Sequence, residues 1–245
     1  MKTVAIVQAR MGSTRLPGKV LLEAAGKPLL VWHLERLAQV SQLDRIVVAT
    51  TDSAADDAVA DCAARMGVAV FRGSEDDVLD RYYQAARCFQ AELVLRTTSD
   101  CPLLDPALVS AVLERWHQAG DLDYLSTATP QSYPRGMDCE LFSFSTLHTA
   151  WCEGREADDR EHVTPFVYRR PERFRLGRLE AGRPYQDYRL TVDTPEDLQL
   201  IRLILQALGA QAFTLDDIVQ LLEQRPDWRE CNAQVRHKEF NYYAR

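Results

Sequence analysis

The chain has 245 residues, 46% apolar and 27% charged, an ordinary globular balance without a disorder signature. Its net charge of −7 speaks against a general nucleic-acid binder, which needs a basic face, and its longest apolar runs, residues 3–9 and 29–32, fall far short of the roughly 20 residues that span a bilayer. A soluble, cytoplasmic protein forming one domain over residues 1–245 is expected, large enough to fold without disulfide or metal staples.

Residues 3–9 (TVAIVQA) are a β-branched run of buried-strand type that ends in the polar loop 10–19. Apolar residues at helical spacing (Leu30, Val31, Leu34, Leu37) predict a helix over 29–40. Arg45–Thr51 reads as a second strand, 54–66 as a helix stopped by Gly67, 68–71 as a third strand, 77–89 as a helix and 93–97 as a strand. Pro106 opens and Gly120 closes a helix over Pro106–Ala119. Beyond residue 120 the pattern changes. Strands at 123–127 and 138–142 flank a Pro134-Arg135-Gly136 turn, a charged stretch follows from 153 to 189, and the section 120–189 reads as an insertion facing substrate or a second subunit. A strand at 188–192 resumes the sheet, followed by helices over 196–208 and Leu215–Gln224. His33 and His117 fall in helices as packing or surface residues.

Strands alternating with helices imply an α/β fold with a mainly parallel sheet covered on both faces, whose ligands gather at the carboxyl ends of the strands. Four loops lie there: 10–19, 51–52, 72–76 and 98–105. Six cysteines are scattered without metal-ligand spacing and read as free thiols. Cys62 and Cys88 read as small core residues of helices; Cys101 alone adjoins one of the four loops.

No acidic residue precedes Glu23, so Lys2, Arg10, Arg15 and Lys19 give the first 22 residues a formal charge of +4 inside an acidic protein. The loop is not a Walker A motif, because five residues separate Gly12 from Gly18 and Val20 follows Lys19; nor is it GxGxxG. Gly12 permits close backbone approach, Ser13 and Thr14 are hydroxyl donors, and Arg10, Arg15 and Lys19 suit a polyphosphate.

Ala9-Arg-Met-Gly-Ser-Thr-Arg-Leu-Pro-Gly-Lys19 resembles the CTP-binding signature of the cytidylyltransferases that activate acidic sugars, the group of CMP-3-deoxy-manno-octulosonate and CMP-N-acylneuraminate synthetases. Phe71-Arg-Gly-Ser-Glu-Asp-Asp-Val-Leu-Asp-Arg81, Asp100-Cys-Pro-Leu-Leu-Asp105 and Leu190-Thr-Val-Asp-Thr-Pro-Glu-Asp197 are similar to its spore-coat polysaccharide branch, as is the tail 231–245 with Asn232, His237 and Lys238. The resemblance spans nearly the whole chain and implies a Rossmann-like nucleotide-diphospho-sugar transferase fold. It further implies attack of a sugar hydroxyl on the α-phosphate of CTP, release of pyrophosphate, a magnesium ion, and a homodimer.

Carried over residue by residue, the resemblance makes Arg10, Gly12, Ser13, Arg15 and Lys19 triphosphate contacts, and Arg72, Gly73 and Ser74 the cytosine site. Lys19, Arg10 and Asp100 become the catalytic group, with Asp100 and Asp193 as magnesium ligands. Without the resemblance, Asp100 reads equally as a cap before Pro102 and Asp193 as a helix N-cap. Candidate partners for the carboxylate of an acidic sugar are Arg96, Arg135, Arg160 and His162, although the nine arginines and eight acids of 153–189 also suit one another. One departure stands out: Thr98-Ser99 precedes Asp100 where relatives commonly carry glycine, and a required φ > 0 there would shift Asp100. Two other readings stay open. One is a glycosyltransferase with Asp121-Leu-Asp123 as its metal motif; the other is a catalytically inactive nucleotide-binding homologue.

Overall fold

The computed structural model describes residues 1–128, 131–183, 185, 187–209 and 211–235; His237 and Lys238 lie outside the described residues. Its main sheet begins as expected with β1 (Thr3–Gln8), β4 (Arg45–Thr51), β5 (Ala69–Gly73) and β6 (Leu93–Thr98), all parallel, in the spatial order β5-β4-β1-β6. Between β1 and β4 come a two-residue ladder, β2 (Glu23–Ala24) with β3 (Lys27–Pro28), and helix α1 (Leu29–Leu37). Helices α2 (Asp57–Arg65), α3 (Val78–Cys88) and α4 (Pro106–Ala119) make the other crossovers, and Asp105 caps α4 through its side chain as Gly120 ends it.

The section after residue 120 extends the same sheet. β7 (Tyr124–Ser126), β8 (Glu140–Ser143) and β9 (Leu176–Arg178) continue it in the order β6-β8-β7-β9, with β8 antiparallel to both β6 and β7. The charged stretch is more structured than composition indicated, holding the end of α5 (Phe144–Glu153), then α6 (Ala157–His162) and α7 (Pro165–Tyr168). The strand expected at 188–192 does not form. Residue 189 makes one isolated bridge to Arg135, and the rest is an extended segment held by Leu190 N to Arg135 O (2.7 Å) and Val192 N to Asp100 O (2.8 Å). Its apolar residues Leu190 and Val192 are buried without a ladder. The described residues close with α8 (Pro195–Leu208), α9 (Leu215–Gln224), the short α10 (Pro226–Arg229) and a 3-10 turn over Glu230–Asn232. Among the described residues, no helix is long and apolar enough to cross a membrane.

Period-two alternation sends β1 to both cores: Ala5 and Val7 join the cluster with α1, α4 and α8, while Val4 and Ile6 join the one with α3 and α5. Cys88 corrects the sequence reading, being exposed on α3, whereas Cys62 is buried. His117 is exposed and His33 wholly buried on α1. His33 Nδ1 lies 2.8 Å from the Cys101 carbonyl and Nε2 2.9 Å from Thr97 Oγ1, so Nδ1 carries the proton and Nε2 accepts. Burial lowers its pKa from 6.5 to about 4, outweighing the Cys101 bond. The unfolded chain therefore binds the proton first, and this contribution to stability is complete above pH 6.5. It drains away as pH falls to about 4, a loss of about 3 kcal/mol. Urea unfolding between pH 7.5 and 4.5 should show this slope in the wild type and lack it in His33→Gln; equal slopes would refute it.

Candidate active site

The loop after β1 is folded on itself by Met11, whose carbonyl accepts from Ser13 N (2.9 Å) and Gly18 N (3.0 Å). Asp56, buried at the start of α2, accepts from Met11 N (2.6 Å) and pins the loop to β4 through Thr51. Gly18 adopts φ +67, a left-handed turn that favours glycine, and launches the short 3-10 turn carrying Lys19. Lys19 is thereby turned inward beside Val20 and is 9% exposed.

Its ammonium meets three oxygens: Asp100 Oδ2 at 2.6 Å, the Val192 carbonyl at 2.7 Å and Asp193 Oδ1 at 2.8 Å. Asp100 follows β6, and Asp193 ends the extended segment clamped against it by Val192 N and by Thr191 Oγ1 to the Asp100 carbonyl (3.2 Å). Two carboxylates 93 residues apart thus converge on one cation. Arg15 Nη2 (2.9 Å) and Arg189 Nη2 (2.8 Å) both reach the other oxygen of Asp193. Burial opposes ionisation of Asp193, but Lys19, Arg189 and Arg15 outweigh it and hold the pKa at about 2. Burial opposes Asp100 likewise, and Lys19 with a Thr98 hydrogen bond lowers its pKa. Desolvation of Lys19 is overcome by the two aspartates, so its pKa rises and it stays charged.

Beside this cluster lies a cavity of about 180 Å³ whose wall includes Arg15, Thr98, Asp100, Arg135, Arg189 and Asp193. Ser99 is absent from its lining and has no positive φ, and its amide bonds the Gln8 carbonyl (3.0 Å), so no left-handed turn is needed before Asp100 here. Cys101 also lines the cavity, but burial and then Asp100 push its thiol well above the ordinary range, which keeps it protonated and a poor nucleophile. Gly136, beside Arg135, has φ +102, and an added Cβ would stand 2.5 Å from the Leu190 carbonyl carbon. Backbone cannot yield there as a side-chain end could. Gly136→Ala is expected to cost about 3 kcal/mol in urea unfolding; a cost under about 0.5 kcal/mol would contradict the close approach.

Several expected contacts are spent elsewhere. Arg96 forms a partly buried ion pair with Glu140, which also accepts from Tyr124 and Thr164 (2.5 Å each). Arg160 donates through Nε to Asp77 (2.9 Å) and through Nη1 to the Trp151 carbonyl (3.1 Å). His162 ends α6 with Glu161 4.0 Å away. None of the three lines the cavity; of the four sugar candidates only Arg135 does. Arg72 donates to Thr51 O (2.9 Å), Ser53 O (2.7 Å) and Asp57 (2.6 Å) at the neighbouring strand end. Gly73 ends β5, and the Ser74 carbonyl is held by the buried Arg81. On the loop itself, Arg10 pairs at 3.6 Å with Glu75, whose Oε1 faces Gly12, and Ser13 Oγ accepts from Leu16 N (3.4 Å), leaving its proton to donate. Asp121 and Asp123 both pair with Arg175 next to β7 and do not line the cavity, which removes the support for a glycosyltransferase metal motif.

Asp56, Arg189, and Asp138 and Thr191, which also line the cavity, were missed by sequence reasoning. For Arg189 a usable signal existed, since it stands four residues before Asp193 and eight before Asp197, but only the folded segment pairs all three.

The family model described as cytidylyltransferase matches residues 4–239. The chain belongs to the cytidylyltransferase family. Among relatives, it is 36% identical to an uncharacterized protein of Methanocaldococcus jannaschii, over 98% of each chain. It is 34% identical to the spore coat polysaccharide biosynthesis protein SpsF of Bacillus subtilis, over 91% of this chain and 94% of that one. Among solved structures, a cytidylyltransferase from Leptospira borgpetersenii superposes with a TM-score of 0.91 at 32% identity, covering 98% of this chain and all of the other. This cytidylyltransferase is accordingly a nucleotidyltransferase of mostly parallel, Rossmann-like architecture, with CTP as its nucleotide class.

Proposed function

We propose that this cytidylyltransferase uses magnesium to transfer CMP from CTP to an acidic sugar, in the cytoplasm, for a surface polysaccharide or glycan. The observation carrying the reading is the convergence of the cationic loop, through Lys19 and Arg15, on Asp100 and Asp193 beside the cavity that Arg135 also lines. The anomeric hydroxyl attacks the α-phosphorus and gives up its proton to water; its new O–P bond forms as the bond from the α-phosphorus to the α,β-bridging oxygen breaks, and pyrophosphate leaves with that oxygen and the electron pair. Arg10, Arg15, Lys19, Gly12 and Ser13 surround the triphosphate, and the ammonium stabilises charge growing on the α-phosphate and on the leaving group. Arg135 pairs with the sugar carboxylate, while Arg72, Gly73 and Ser74 form the cytosine site.

The three oxygens around the Lys19 ammonium are hard donors that suit a small divalent cation, so Asp100 and Asp193 fit a magnesium site. Bound there with the triphosphate, magnesium supplies charge neutralisation at the reacting phosphate. Lys19 then exchanges the carboxylates for phosphate oxygens, a short move for a flexible stem. A homodimer, implied by the family resemblance, is checked by light scattering.

Pyrophosphate release with CTP, UTP, ATP and GTP against acidic and neutral sugars tests the reading. CTP-selective release with an acidic sugar is expected. Release with neutral sugars alone, or sugar transfer from a nucleotide-sugar donor without pyrophosphate, would sink it.

A further inference from the structure

The segment after α10 closes over the back of the Asp193 loop, and one side chain makes the closure. Asn232, 6% exposed, donates Nδ2 both to the Arg189 carbonyl (3.0 Å) and to Asp197 Oδ1 (2.9 Å). Asp197 is wholly buried in the first turn of α8. Its carboxylate also accepts from Arg189 Nε (2.8 Å) and Nη2 (3.0 Å) and from the amides of Asp193 (2.9 Å) and Thr194 (3.1 Å). The same Nη2 reaches Asp193 Oδ2 at 2.8 Å. A continuous run of charge-assisted bonds therefore leads from Asn232 through Asp197 and Arg189 to Asp193.

We infer that Asn232 is a positioning residue for Asp193, acting through Asp197 and Arg189 to fix the direction in which the Asp193 carboxylate points. The inference rests on the role given to Asp193 above. Arg15 and Arg189 share one oxygen of Asp193, but they are anchored differently. Arg15 sits on the phosphate loop with 38% of its side chain exposed, and it leaves Asp193 when a triphosphate draws it away. Arg189, 7% exposed and held bidentately by Asp197, stays. The orientation of Asp193 in the working complex then depends on Arg189, and that of Arg189 on an Asp197 carboxylate whose Oδ1 has two donors, one of them Asn232. Loss of the amide takes one donor from Asp197 Oδ1 and the bond to the Arg189 carbonyl, while the bonds to Oδ2 remain, so it is the Arg189 end of the run that loosens.

Asn232→Asp keeps the volume but sets a carboxylate against Asp197 and the Arg189 carbonyl; Asn232→Leu keeps the volume without any donor. Mn2+ binding to the CTP complex without sugar, followed by electron paramagnetic resonance, should weaken about 10-fold in both variants, with kcat falling comparably and KM for CTP within about twofold. Thermal melts must remain cooperative. Wild-type Mn2+ affinity in the folded variants, while Asp193→Asn is inactive, overturns the inference and leaves the role of Asp193 standing. An active Asp193→Asn refutes the underlying reading instead. A rise in KM for CTP as large as the loss of Mn2+ affinity marks a general structural role and overturns the inference too, as does failure of both variants to fold.

Discussion

Lys19→Met is expected to lower kcat for pyrophosphate release by about 10²- to 10³-fold, the usual effect of losing one group that stabilises charge in the transition state. Methionine keeps most of the buried stem and removes only the ammonium. The variant therefore separates charge from volume. In the wild type that ammonium binds Asp100, Asp193 and the Val192 carbonyl at once. Without it, two half-buried carboxylates face each other with Arg15 and Arg189 as the remaining cations, both on the far oxygen of Asp193. Asp100 is then the uncompensated partner, so stability falls as well, by an amount set by how readily water or a metal ion enters. Turnover at saturating CTP and magnesium within about threefold of wild type would remove Lys19 from the chemistry.

The second large effect is expected from Asp193→Asn, a loss of about 10³-fold in turnover with little change of fold. The amide keeps the shape and one acceptor, and the backbone at 193 and 194 is fixed independently by the buried Asp197. What disappears is a charge that three cations hold ionised far below neutral pH, with a pKa of about 2. A pair of hard carboxylates becomes a single one, and divalent-ion affinity falls with it. A wild-type circular dichroism spectrum and a melt that stays cooperative, though lowered by loss of a charge that three cations stabilise, together with the lost turnover, would locate the effect in the site. Undiminished turnover would show that Asp100 alone suffices.

The periodicity of the first 120 residues was enough to locate the parallel half of the sheet, because each strand there is a short apolar run bounded by loop residues. It was also enough to bring the loop 10–19 and Asp100 to one edge, since β1 and β6 are register neighbours, with Gln8 opposite Thr98. The antiparallel half was less legible. Residues 188–192 have the composition of a strand, but their amides are bonded to Arg135 and Asp100, residues on two loops rather than a ladder. Arginine roles were hardest to read. Arg96 and Arg160 find acids 44 and 83 residues away, and a guanidinium takes whichever carboxylate the fold brings near. Arg72 shows the same rule on a smaller scale, captured by carbonyls at the end of the adjacent strand. Asp197 carries a local signal as the last residue of a Thr-x-x-Asp capping box, yet nothing in that pattern announces that it also orients Arg189.

The placement of Lys19 between the two aspartates means that the protein carries its own counter-ion. A pair of converging, half-buried carboxylates ordinarily makes folding depend on a bound cation and on chelators being absent. Here the chain supplies the positive charge from a loop that follows its first strand, so the acidic pocket is neutralised as soon as β1, β6 and the segment before α8 meet. Assembly of the site is thereby uncoupled from metal supply, and occupancy by substrate and ion becomes an exchange of partners within a finished fold.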